Sequence, residues 1–161
     1  MRSGDGTGHP GTERWGAGSP SPTLALRLPY TGLSSLGGLP PALQRLLAAP
    51  TQLRWLDLSF NRLTAIDPVL ATLGGLQSLH LHGNAVSCLS EVDKLAALAR
   101  LRRLTLYGNP MEEERGYRRY VLALLPQLST LDFSAVTQQE RSEVALWGHT
   151  HTRPRPHRAS A

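Results

Sequence analysis

His80 and His82 are the residues of this chain best spaced for chemistry. At i and i+2 on a strand, two imidazoles point to the same side. Such a pair could begin a metal site, with Asp57 on the next strand as a third ligand. Zinc needs three or four ligands, and Cys88 lies away in a turn. Histidines belonging to a binding patch explain the pair better, and their titration near neutrality would make binding pH-sensitive. No metal and no other cofactor is expected. Catalysis is not expected either. The chain has no phosphate loop, no Gly-x-Gly fingerprint, no Gly-x-Ser-x-Gly elbow and no Cys–His pair placed as nucleophile and base.

The elements that must position these residues come from a repeat. LRWLDLSFNRL starts at Leu53, LQSLHLHGNAV at Leu76 and LRRLTLYGNPM at Leu101, with starts 23 and 25 residues apart. All three follow L-x-x-L-x-L-x-x-N, the leucine-rich repeat template, whose period is about 20–29 residues. Asn61, Asn84 and Asn109 occupy the same place in each. The pairs Leu56/Leu58, Leu79/Leu81 and Leu104/Leu106 alternate with period two, so both leucines of a pair face one side of a short strand. One repeat cannot bury that face alone, and stacked neighbours must do it. The asparagines are expected to satisfy backbone groups where the chain turns, with Leu63, Val86 and Met111 closing the turn from inside.

A weaker first repeat begins near Thr23 and runs through Leu26, Leu28 and Leu33, with Thr31 in place of Asn. Pro29 would remove a ladder donor there, which suits an edge strand. On the opposite side of the repeats, Leu43, Leu46 and Leu47 form one helical stripe, and Val92, Leu95 and Leu98 another. Asp67-Pro68 reads as the start of the corresponding turn in the middle repeat.

The sequence has 161 residues and a formal net charge of +5. It divides into a segment 1–22, a repeat domain 23–146 with its cap over 109–146, and a basic tail 147–161. The first segment is Gly-, Ser- and Pro-rich without an apolar stretch, so it is expected to be disordered and not a secretion signal. No apolar run reaches the ~18 residues of a membrane span. Cys88 has no partner for a disulfide and reads as a small, partly buried filler, which favours a reducing, intracellular setting. No acid follows Glu143, while Arg153, Arg155 and Arg158 accompany His149, His151 and His157. This tail reads as a solvated end; contact with nucleic acid or an acidic surface is the alternative.

The stretch NPMEEERGYRRYVLALLPQLSTLDFSAVTQQER after Gly108 resembles the C-terminal cap of the intracellular, SDS22-like leucine-rich repeat proteins. The matching residues are Asn109, Pro110, Tyr117, Arg118, Leu125, Pro126, Leu128, Leu131, Asp132, Val136, Thr137, Glu140 and Arg141. A solenoid end exposes an apolar cross-section that a cap must cover; Tyr117, Tyr120, Val121 and Leu124 lie at helical spacing for that role. Glu112, Glu113 and Glu114 beside Arg115, Arg118 and Arg119 read as a charged start of the cap helix, its acids paired with the bases that follow. The resemblance implies a cytoplasmic binding protein without catalysis. Relatives with roles in phosphatase regulation, splicing, tubulin folding and axonemal dynein add a ciliary or axonemal setting as an expectation, while their diversity leaves the partner open.

The expected class is therefore α/β: a solenoid with short parallel strands on the concave face, a helical or irregular convex side and a helical C-terminal cap. Residues alternating with the inward leucines line the concave face. Those expected to bind a protein partner are Arg27, Trp55, Asp57, Ser59, His80, His82, Arg103 and Tyr107. Trp, Tyr and Arg most often carry interface energy. Phe60 is expected to point into the core. The chain is expected to act as a monomeric scaffold or adaptor. The alternative is a ribonucleoprotein component that binds RNA through the tail and Arg100, Arg102 and Arg103.

Overall fold

The computed structural model describes residues 25–39, 41–48 and 53–150. Residues 1–24 and 151–161, which carry the expectations of a disordered first segment and most of the basic tail, lie outside the described residues, as do the side chains of Leu43 and Leu46.

Strands β1 (Ala25–Arg27), β2 (Trp55–Asp57), β3 (Ser78–His80), β4 (Arg103–Thr105) and β5 (Thr130–Leu131) stack in parallel. A last strand β6 (Ser134–Ala135) folds back antiparallel on β5. The register follows the repeat: Leu26, Leu56, Leu79, Leu104 and Leu131 form one row. From Leu56 onward this row is fully buried, as are Leu58, Leu81 and Leu106. Each such leucine contributes about 1.5–3 kcal/mol by leaving water. β1 is the edge strand, and Pro29 follows its end, where no ladder donor is required.

The asparagines form a second row inside the turn. Asn84 donates to Leu58 O and Leu81 O, both at 3.0 Å, and accepts from Leu63 N at 3.1 Å. Asn109 repeats this with Leu81 O, Leu106 O and Val86 N. Asn61 bonds Leu28 O and Leu58 O and accepts from the Thr31 and Leu33 amides. The residue before each of these positions has positive φ: Tyr30 at 56°, Phe60 at 55°, Gly83 and Gly108 at 71°.

The convex side is built from tight 3₁₀ turns, Pro68–Thr72 and Leu89–Ala97, rather than from long α-helices. Leu89, Val92, Leu95 and Leu98 recur at intervals of three and are all buried, which matches three residues per turn. Asp67 caps its turn through a bond from Val69 N at 2.9 Å, with Pro68 at the first helical position. Among the described residues, only the first repeat carries an α-helix there, α1 (Pro41–Ala48), with Leu47 buried.

The cap consists of α2 (Tyr117–Leu124) and α3 (Gln138–Thr150). Tyr117, Tyr120 and Val121 bury themselves against the last repeat, and the Tyr120 hydroxyl donates to Asp93 one repeat back. Here the expected charge pattern is corrected. The run of acids lies in a separate 3₁₀ turn, Pro110–Glu113, where Glu112 accepts from Gly108 N at 2.8 Å. α2 begins after Gly116, at φ +78°, with no acid in its first turn. Arg118 pairs with Glu140 of α3 at 2.7 Å. α3 also runs through the expected boundary at 146/147 as far as Thr150. Arg141 fastens it by donating to the carbonyls of Leu122, Leu125 and Leu128.

Candidate protein interface

The parallel register brings the expected binding residues to one face. Trp55 stands between Ala25 and Ser78, and Asp57 between Arg27 and His80, with Thr105 beyond. Their exposures differ. Arg27 and Arg103 are exposed, while Trp55, Asp57 and Tyr107 are half-buried. Ser59, His80 and His82 are buried, so they form the floor of the face and not its contact surface.

That floor is a polar network under a roof of rings. The Thr105 hydroxyl lies 2.6 Å from His82 Nδ1 and 3.2 Å from His80 Nδ1. One hydroxyl has one proton, so it donates to one neutral imidazole and accepts from the other; the two histidines then carry opposite tautomers. Burial lowers the pKa of His80 from its ordinary value, Asp57 opposes this, and His82, Arg27 and Arg103 lower it further. Burial also lowers that of His82, against Asp57 and Asp132. Among the described residues no three His, Cys, Asp or Glu side chains are gathered as a metal site.

The roof is aromatic and continuous. Tyr30 stacks on Phe60 with centroids 4.6 Å apart and planes 3° from parallel. Phe60 meets His82 edge-on at 5.0 Å, and His82 stacks on Tyr107 at 4.6 Å. Phe133 reaches back from the cap to His80, His82 and Tyr107, each at 5.9 Å. Trp55 lies 4.9 Å from His80, with the Arg27 guanidinium 5.4 Å above its ring. Tyr30, Phe60 and Phe133 expose 74%, 40% and 68% of their surface. Together these rings make a continuous, partly exposed apolar patch on the concave face.

Phe60 therefore does not point into the core as expected. At φ +55° its side chain turns outward and lies over Gly83, where an added Cβ would come within 2.5 Å of the Phe60 ring. Tyr30, Phe60 and Phe133 are exposed rings of the candidate site that reading the sequence missed. A signal existed for two of them: Tyr30 and Phe60 align with Gly83 and Gly108, and a position filled elsewhere by glycine is a position of positive φ. Phe133 carried no such signal, because its place depends on the turn between β5 and β6.

Two further polar atoms sit in the centre of the face. Trp55 Nε1 and His80 Nε2 are buried without a hydrogen-bond partner among the described residues. An unsatisfied buried donor or acceptor costs about 1–3 kcal/mol.

The buried leucine and asparagine rows, together with a match of residues 35–153 to the leucine-rich repeat family model, place this chain in the leucine-rich repeat family. It is similar to leucine-rich repeat-containing protein 51 of Bos taurus, 50% identical over 84% of this chain and 70% of the relative. The same protein of Homo sapiens is 49% identical over 83% of this chain and 69% of the relative. Among solved structures, the Drosophila melanogaster SNF/U2A′ complex contains a similar chain, with a TM-score of 0.58 and 30% identity over 63% of this chain and 60% of that one.

Proposed function

We propose that this protein is a noncatalytic scaffold or adaptor that binds another protein through its concave face. The observation that carries this reading is the unbroken series of ring contacts from Tyr30 to Phe133, exposed at both ends. Aromatic anchors on a rigid sheet bind with little loss of side-chain freedom. The similar solved chain belongs to a complex, SNF/U2A′, which supports a protein partner. We place the protein in the cytoplasm on the strength of its single cysteine, and a ciliary or axonemal complex rests on family analogy alone.

RNA binding through Arg100, Arg102 and Arg103 is the weaker reading. Arg102 folds back to donate to Ala99 O at 3.1 Å, which occupies part of its guanidinium. The test is affinity capture with wild type against Tyr30→Ala/Phe60→Ala/Tyr107→Ala, after circular dichroism shows both folded. Protein partners lost only by the variant support the proposal. An unchanged partner list sinks it.

A further inference from the structure

The aromatic roof has a charged border. Arg27 and Arg103 are exposed on the concave face, and exposed Arg54 precedes Trp55 at the start of β2. None of the three has a carboxylate within ion-pair distance among the described residues, where Lys94–Glu91 and Arg118–Glu140 do pair. The two acids of this face take hydrogen bonds from its backbone and its cap. Asp57 Oδ1 accepts from Ser59 N at 2.9 Å, and Asp132 accepts from Leu106 N, Tyr107 N and the Tyr117 hydroxyl. Trp55 Nε1 is a further donor without an acceptor. The exposed charges of the face are thus the guanidiniums of Arg27 and Arg103, with the half-buried Asp57 beside Arg27.

Its dimensions also select a partner. From β1 to β5 there are four strand spacings, about 19 Å at ~4.8 Å each. The rings run along this direction, with the arginines beside them. At 1.5 Å per residue a helix crosses that width in about 13 residues. Such a helix could place an apolar stripe on Tyr30, Phe60 and Phe133 and carboxylates on Arg27 and Arg103. Those two arginines stand on strands three spacings apart, roughly 14 Å, so acids two to three helical turns apart would reach both.

We propose that the concave face recognises an acidic amphipathic helix presented by another protein. This rests on the concave-face reading above and adds the chemistry of the partner. The apolar side of the helix covers the rings, and its carboxylates pair with Arg27 and Arg103.

The test uses the full chain and three synthetic helical peptides of about 18 residues, long enough to cross the face. They share one Leu/Phe stripe and differ only in a Glu, Gln or Lys polar face. Fluorescence anisotropy reads their binding to wild type and to Arg27→Glu/Arg103→Glu. Both arginines are exposed, and a thermal melt checks that the variant folds. The expected result is binding of the Glu peptide about tenfold or more tighter than the Lys peptide, with the preference inverted in the variant. Equal binding of all three, with loss in Phe60→Ala, overturns the charge complementarity and leaves the concave face as the site. No saturable binding by any peptide overturns the proposal outright. So does tighter binding of a single-stranded uridine RNA than of the Glu peptide, since that makes the arginines phosphate contacts.

Discussion

The Tyr117 hydroxyl donates to Asp132 Oδ2 at 2.7 Å, and this bond joins the cap helix to the end of the sheet. The other oxygen of Asp132 accepts from the amides of Leu106 and Tyr107 at 2.6 and 3.0 Å. A carboxylate thus ends the amide-satisfying row that asparagines build in the repeats. Burial, followed by the Asp132 charge, raises the Tyr117 pKa far above its usual value, so the hydroxyl remains a donor. Asp132→Ala should cost about 2–4 kcal/mol, since it strips partners from three donors. Tyr117→Phe should cost about 1 kcal/mol. Urea unfolding measures both, and equal losses would contradict this division.

Asn84 holds two neighbouring repeats together through carbonyls of both and the Leu63 amide. Asn84→Ala should destabilise by about 2–4 kcal/mol through buried groups left unpaired. Thr31→Val, at the partly exposed edge of the row, should cost about 1 kcal/mol or less. Comparable midpoints for the two variants would show that the row is not where the stacking energy lies.

Gly83→Ala meets two penalties, the positive φ of 71° and the Phe60 ring 2.5 Å from the new Cβ. The left-handed conformation alone costs about 1–2 kcal/mol for a residue with a Cβ. Removing the ring relieves only the clash. Gly83→Ala/Phe60→Ala should therefore be more stable than the sum of the single losses implies. Strict additivity in a double-mutant cycle would place the ring elsewhere.

The buried histidines make stability depend on pH. Both have folded pKa values below the ordinary 6.5. As pH falls through 6.5 the unfolded chain takes up protons that the folded chain resists, so stability present above that value is lost on acidification. The groups facing them are Asp57, Arg27, Arg103 and Asp132. Chemical unfolding at pH 7.5 and pH 5.5 should show lower stability at the acidic value. His80→Asn/His82→Asn should lose most of that difference.

Glu140 serves two contacts that substitutions can separate. It forms a capping box with Thr137, through Thr137 N to Glu140 Oε2 at 3.0 Å and Glu140 N to Thr137 Oγ1 at 3.1 Å. It also pairs with Arg118, whose hydrogen bond does most to hold the Glu140 carboxyl at about 2. Because that pKa is depressed, its stabilisation is present above the ordinary 4.5 and disappears as pH falls toward 2. Glu140→Gln keeps the capping geometry, loses the ion pair and should cost about 1 kcal/mol or less at this partly exposed site. Thr137→Ala should cost about 1 kcal/mol at any pH above this range. A larger pH-dependent loss in Thr137→Ala would reverse these assignments.

The solenoid was legible because its cause is local and repeated. Leucines at period two followed by asparagine leave one way to bury the apolar face and satisfy the turn, and Leu56, Leu79 and Leu104 lie in the register that pattern implies. Cap residues such as Tyr117 and Leu131 were legible for the same reason, since an open end needs an apolar cover. The 3₁₀ geometry of Leu89–Ala97 lies near the limit of pattern reading, because spacings of three fit either helix.

What the sequence by itself determined is the strand register, the inward leucines, the asparagine row and which residues alternate onto the concave face. Tertiary structure alone decided which residues of that face meet solvent. His80 and His82 alternate outward as expected but are covered by Trp55, Phe60, Tyr107 and Phe133, which come from the two neighbouring repeats and the final turn. Phe60 and Phe133 reach the surface through positive φ values of 55° and 62°. The physical reason is that periodicity fixes the direction in which a side chain leaves its own strand, while exposure depends on side chains from distant repeats that stacking brings above it.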